Sequence, residues 1–312
     1  MEKKSDGNEK TSEEKNVLKN SGSNVSEYVR TDLAAEGEAL GESGVKVREY
    51  QRKGFSVHEI LAENEGDGVC KGRYITVTVG PLWLYGKENV KKAEDVTAGL
   101  LSEFVSGLTE RESLSVLTVC LGNRRITSDA VGPLCADKLI VTRHLKTEKK
   151  ELFESFGKVE LSVISPGVTG ETGVETLELI KTAVDIVKPD LVLCVDALAA
   201  RSVDRLATTV QITDTGISPG SGVGNHRKEI SLRTVGVPVI SIGVPTVVQS
   251  STLVFDALGK AGITDIEKPL RDVLENEKSF FVTPKNTDVA VSYQAELIAK
   301  AINRVFLGFD EL

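Results

Sequence analysis

Only four cysteines occur in the 312 residues, Cys70, Cys120, Cys135 and Cys194, and no two of them form a C-x-x-C pair. That spacing excludes the common zinc frameworks. With three of the four in apolar runs, they read as reduced, buried side chains of a cytosolic protein. No apolar run approaches the length of a membrane span. The opening Met1-Glu2-Lys3-Lys4-Ser5-Asp6 lacks the apolar core of a secretory signal. Positive charge is not in excess: the net charge is −8, which argues against a nucleic-acid surface. No serine sits in a G-x-S-x-G elbow. Cys135 and His144 fall on poorly matched faces of one stretch, which disfavours a thiol protease. The glycine-rich stretches match neither the Walker pattern nor G-x-G-x-x-G before a helix, and there is no internal repeat.

What is present is a globular composition, 40% hydrophobic and 27% charged, enough for one large domain or two small ones. Residues 1–27 are polar and of low complexity, so they are expected to be disordered. That stretch ends in Tyr28-Val29-Arg30-Thr31-Asp32-Leu33-Ala34-Ala35-Glu36, a composition shift that suits a proteolytic cut. From residue 45 the pattern becomes globular. Strands are expected at 73–79, 115–121, 159–164, 190–195, 207–212 and 237–242. Helices are expected at 88–107, 129–145, 173–187, 247–258 and 287–306. This alternation predicts an α/β fold, a mostly parallel twisted sheet with helices on both faces.

Two aspartates follow apolar strand-like runs. Asp129 lies in Thr127-Ser128-Asp129-Ala130-Val131-Gly132-Pro133, and Asp196 ends Leu191-Val192-Leu193-Cys194-Val195. Ligands and chemistry gather at the carboxyl ends of parallel strands. Asp129 is either a helix N-cap or a site carboxylate. Asp196 is either a structural partner for Arg201 or a desolvated acid with raised proton affinity. Two such residues on separate turns favour a site in which one carboxylate activates water and the other donates a proton. Gly132 just inside the helix permits close approach of another backbone.

Two glycine-rich loops are further candidates. Residues 211–228 hold Asp214, Gly222 and His226, and can line a peptide groove or cradle an anion. Ser165 to Gly173, with Thr172, is either a tight turn or a source of amides for a developing oxyanion.

Taken together, Arg30–Ala34, Val119–Pro133, Val141–Leu145, Ser165–Gly173, Lys188–Ser202, Asp214–Arg227, Gly236–Thr246 and Val282–Lys285 resemble the germination protease, or spore protease, family of endospore-forming bacteria. The chain is shorter than typical members between residues 45 and 115 and near 145–158. The resemblance implies an endopeptidase that degrades small acid-soluble spore proteins at germination, in the cytoplasm of the spore core. It implies a zymogen that removes its own propeptide, residues 1–32, by a cut between Asp32 and Leu33, leaving 33–312 as a single α/β peptidase domain. Asp129 and Asp196 match the family's two proposed catalytic aspartates. Asn123, Thr172, Asp214, Gly222 and His226 are candidate supporting or substrate-binding residues. A homotetramer is implied, with no cofactor, no nucleic acid and no membrane. The implied fold is similar to that of hydrogenase-maturation endopeptidases, whose corresponding acidic positions bind a metal. A metal-dependent peptidase using Asp129, Asp196 and Asp214 or His226 is therefore one alternative; a non-enzymatic binding protein on the same fold is another.

Overall fold

The computed structural model describes residues 31–36, 44–64, 70–106, 113–221, 227–263, 267–276 and 280–308. The expected disorder of 1–27, and the candidates Gly222 and His226, lie outside them. Nine strands form one sheet: β1 (Val45–Arg52), β2 (Phe55–Ala62), β3 (Gly72–Thr78), β4 (Ser115–Cys120), β5 (Glu160–Ile164), β6 (Leu191–Ala199), β7 (Thr209–Thr213), β8 (Val239–Gln249) and β9 (Phe281–Val282). Their order is β1-β2-β3-β7-β8-β6-β4-β5, with β9 on the far end of β8. The run β8-β6-β4-β5 is parallel. The other pairings are antiparallel, so the α/β sheet is mixed, with its parallel half around β6.

Burial explains the parallel half. Leu191 through Asp196 are all buried, as a central strand covered on both faces requires. Leu191, Leu193 and Val195 face the core shared with the helices Lys87–Ser106, Val131–Ala136 and Thr287–Leu307. Val192 and Cys194 face the opposite core, covered by the helix Thr176–Val187. Asp196 has the parity of the second set, because successive residues of a strand alternate in face.

The helix expected over 129–145 is confined to Val131–Ala136. Beyond it, Thr142 leaves the helical pattern and bonds the edge of β5: its hydroxyl donates to Val159 C=O, and the amide of Leu161 donates to its oxygen at 2.9 Å. The helix expected over 173–187 is interrupted by Gly173 at φ 70°, which ends the short helix Thr169–Thr172 before Thr176–Val187 begins. Strand β8 runs on to Gln249, so the following helix starts at Ser250. Cys120, Cys135 and Cys194 are buried as expected. Cys70 is exposed, because it precedes β3 instead of lying within it.

Candidate active site

Asp196 does not end its strand. β6 continues to Ala199 against β8, and it is β4 that ends, with its last ladder pair at Cys120 and Val195. The amide of Leu121 still donates to Val195 C=O at 2.8 Å, and then the chain turns away. Asp196 therefore occupies the first position at which β6 has lost its β4 neighbour. Only 4% exposed, it accepts a hydrogen bond from the Ala197 amide at 2.9 Å.

Asp129 is brought to the same place by the turn that leaves β4. Gly122 adopts φ 112°, and a Cβ there would lie 2.1 Å from the carbonyl oxygen of Asp129. The turn then closes on the Asp129 carboxylate, which accepts from the Asn123 amide at 2.8 Å. Thr246 of β8 anchors the turn from the other side, donating its hydroxyl to Ser128 C=O at 2.6 Å. Asp129 is thus not an N-cap: the cap position of the next helix is Ala130, and the Asp129 carboxylate bonds backward. Gly132 fits the first turn of that helix against the sheet. A Cβ on it would sit 2.2 Å from Leu121 O and 2.8 Å from Val195 O.

The two aspartates line one cavity of about 210 Å³, together with Asp32, Arg227, Thr246 and Phe281. Burial pushes the Asp129 carboxyl above its usual range, opposed by the Asn123 amide and by Arg227. Asp196 is pushed well above that range, first by burial and then by the negative charge of Asp129; the Ala197 amide and Arg227 oppose this, and Asp32 adds to it. The two carboxyls face one another's charge and titrate as a pair, with burial favouring the proton on Asp196.

The chain's own residues 31–36 reach the cavity through Asp32. The Asp32 amide donates to Ala199 C=O at 2.9 Å, and the Ala199 amide returns a bond to the Asp32 carboxylate at 2.8 Å. Ser221 donates its hydroxyl to the same carboxylate at 2.6 Å. Leu33 is 1% exposed and packs on Leu198, Ala200, Leu206 and Val248. Gln211 spans the next peptide units: its Nε2 donates to Asp32 C=O at 3.0 Å, and its Oε1 accepts from the Ala34 amide at 2.8 Å. Glu36 finishes the segment. Its carboxylate accepts from the Thr31 hydroxyl and the Arg201 amide, both at 2.7 Å, and from the Ser202 amide at 3.1 Å, and it pairs with Arg205 Nε at 3.3 Å.

Of the other residues singled out in the sequence, Asn123 acts through its amide; its side-chain oxygen accepts from Arg125 and shapes the turn. Thr172 bonds the backbone of its own short helix, and the Ser165–Gly173 turn does not line the cavity. Asp214 accepts from the Arg73 amide at 2.7 Å and also lies outside the cavity. Arg201 pairs with Asp256 at 3.8 Å and not with Asp196. Among the described residues, no three His, Cys, Asp or Glu side chains cluster as a metal site would require. No helix among them is long and apolar enough to cross a membrane. The residues that sequence reasoning did not single out are Gln211, Thr246 and Arg227. Gln211 offered one signal, a lone amide inside the buried strand Thr-Val-Gln-Ile-Thr.

Solved structures that resemble this one include two proteases of hydrogenase maturation. The [NiFe] hydrogenase maturation protease HycI of Thermococcus kodakarensis overlays with a TM-score of 0.33 at 21% identity, over 65% of this chain and 99% of its own. The hydrogenase maturating endopeptidase HybD of E. coli gives 0.26 at 15% identity, over 55% and 99%. Among curated proteins, the germination protease of Clostridium acetobutylicum is 37% identical over 88% of this chain and 94% of its own. That of Bacillus licheniformis is 42% identical over 75% and 67%. A family model described as germination protease matches residues 25–261. That match takes in Asp32, both cavity aspartates and Gln211, and with it the chain belongs to the germination protease family, a family of peptidases.

Proposed function

We propose that this chain is a self-processing endopeptidase that cuts between Asp32 and Leu33 and then degrades small acid-soluble spore proteins during germination. The observation that carries the reading is the course of residues 31–36, whose Asp32 lines the same cavity as Asp129 and Asp196. In the mechanism, ionised Asp129 takes a proton from water as the water oxygen bonds to the Asp32 carbonyl carbon. Protonated Asp196 then donates to the Leu33 nitrogen as the C–N bond breaks. The products are a carboxyl group on Asp32 and an amine on Leu33. We assign the base to Asp129 and the acid to Asp196 on burial: Asp196 is 4% exposed and Asp129 is the more accessible of the two. The mechanism needs no cofactor. The active assembly in this reading is a homotetramer in the cytoplasm of the spore core, with spore proteins as substrate and no direct contact with nucleic acid or membrane.

An intact-mass time course of the purified full chain, run beside Asp196→Asn and repeated with a chelator, tests this. The expected result is loss of residues 1–32 from the wild-type chain alone, indifferent to chelator. Loss blocked by chelator would transfer the assignment to a metal-dependent peptidase. A cut elsewhere would refute the junction.

A further inference from the structure

The sheet register sets Asp196 and Gln211 in one row. Asp196 of β6 is paired with Gly243 of β8, and Gly243 is paired with Gln211 of β7. Cross-strand partners share a face, so both side chains rise from the same side, roughly 9–10 Å apart at two strand spacings. Between them stands Gly243, and the Leu198 side chain occupies the room its missing Cβ leaves, 2.4 Å from where that atom would lie. Asp32 lines both the aspartates' cavity and the neighbouring one that Leu33, Gly243 and Gln211 line. Gln211 is 6% exposed, and both ends of its amide are committed to the segment. The orientation of that amide is fixed by its partners. A peptide carbonyl can only accept and a peptide N–H can only donate, so Nε2 faces Asp32 C=O and Oε1 faces the Ala34 amide.

We propose that Gln211 is a catalytic residue of this peptidase: its Nε2 holds the carbonyl oxygen of the bond to be cut and stabilises the negative charge that develops there, while its Oε1 fixes the register of the peptide. The proposal rests on the reading that the Asp32–Leu33 bond is the one cleaved. The carbonyl that accepts from Gln211 belongs to that bond. Asp129 and Asp196 handle the protons, but a carbonyl turning tetrahedral also needs a donor aimed at its oxygen. Gln211 is that donor, and its amide neither titrates nor competes with the pair for protons. As water adds, the electron pair of the C=O bond moves to the oxygen facing Nε2. It returns to the carbon when the bond to the Leu33 nitrogen breaks, and Gln211 is unchanged at the end.

The test is the self-processing rate of the full chain with Gln211→Leu and Gln211→Glu. The glutamate keeps an acceptor for the Ala34 amide, and it regains a donor when protonated. Gln211→Leu is expected to slow the cut by about 100-fold or more, the usual cost of a lost oxyanion donor. Gln211→Glu is expected to be as slow at about pH 8, and to recover relative to wild type as the pH falls through the carboxyl's titration. A residue that merely docked the segment would recover its rate only together with the protection of the Ala34 amide, since the donor to Asp32 C=O serves docking too. A rate that recovers while Ala34 protection stays constant marks the catalytic role. Amide exchange at Ala34 in the same variants reports docking independently of the cut. Wild-type processing by Gln211→Glu at about pH 8, or a deficit that does not change with pH, overturns the proposal and leaves the cleavage reading standing. A wild-type chain that cuts neither itself nor an added peptide of residues 27–40 overturns the reading, and the role of Gln211 falls with it.

Discussion

Asp196 is a carboxyl held where its charge is costly, and the cost has a sign that can be measured. Burial and the neighbouring Asp129 charge raise its proton affinity in the folded chain. Below the ordinary carboxylate range, under about pH 3, folded and unfolded chains both carry this proton. As the pH rises past that range, the unfolded chain releases the proton and the folded chain keeps it. The folded state then binds more protons, so stability falls with rising pH until the folded carboxyl also ionises. Asp196→Asn removes the titration and retains an oxygen to accept from Ala197. The variant is expected to melt above wild type at about pH 7, by roughly 2–4 °C for each kcal/mol relieved, and to converge with it below about pH 3. Thermal melts across that range decide the matter, and an equal gap at both ends would contradict it. Under the proposed mechanism the pair also sets the pH profile of the cut. The rate should rise as Asp129 ionises and fall as Asp196 does, both limbs lying above the usual carboxylate range.

The turn from β4 into Val131–Ala136 is the element that brings the two aspartates together, and its tolerance is small. Gly132 lies so close to the backbone of Leu121 and Val195 that a methyl group cannot be accommodated without moving the helix. Gly132→Ala is expected to cost about 1–3 kcal/mol of stability, as overpacking does. It should also depress the self-cleavage rate at temperatures where the chain remains folded, because Asp129 moves with the turn. Denaturant melts and the processing rate together test this; an unperturbed melt would show that the helix can slide. This element was legible in the sequence, because an apolar strand, a glycine, an aspartate and a Gly-Pro step follow one another within a short stretch. The β1–β2 hairpin was not. Its two-residue turn is Lys53-Gly54, both at positive φ, and lysine at the first position carries none of the usual asparagine or aspartate signal. Gln211 was unread for another reason. Its partners Ala34 and Asp32 lie 177 and 179 residues away, so no local pattern discloses them. The mixed sheet was hidden likewise: alternating strands and helices announce the parallel half, whereas the direction of β7 against β8 is set by tertiary pairing alone.

For the molecule as a whole, residues 31–36 act as a strap that ties the start of the described chain to three parts of the sheet at once. Asp32 bonds the end of β6, Leu33 fills an apolar pocket between β6 and β8, and Ala34 bonds β7. The strap's last hold is the Glu36 carboxylate, whose side chain is only 6% exposed and which meets two amides, a hydroxyl and Arg205. A buried carboxylate in that setting is stabilising only while its donors are present, since hydrogen bonds to charged groups contribute about 1.5–3 kcal/mol and an orphaned charge costs more. Glu36→Gln keeps the shape but gives up the charge, and it turns an amide group toward the Arg201 and Ser202 amides or Arg205, none of which can accept from it. Arg205→Ala removes one donor of several and leaves the two amides in place. Amide exchange at Leu33 and Ala34 should therefore accelerate strongly in Glu36→Gln, by about 10-fold or more, and modestly in Arg205→Ala. The core strands β4 and β6 should exchange as before. If exchange at Ala34 is unchanged in both variants, Gln211 and the Leu33 pocket hold the strap by themselves and the Glu36 contacts are incidental. If it accelerates as expected, the proposed self-cleavage should slow in the same order, because in that reading the bond at Asp32 meets the aspartates only while the strap is down.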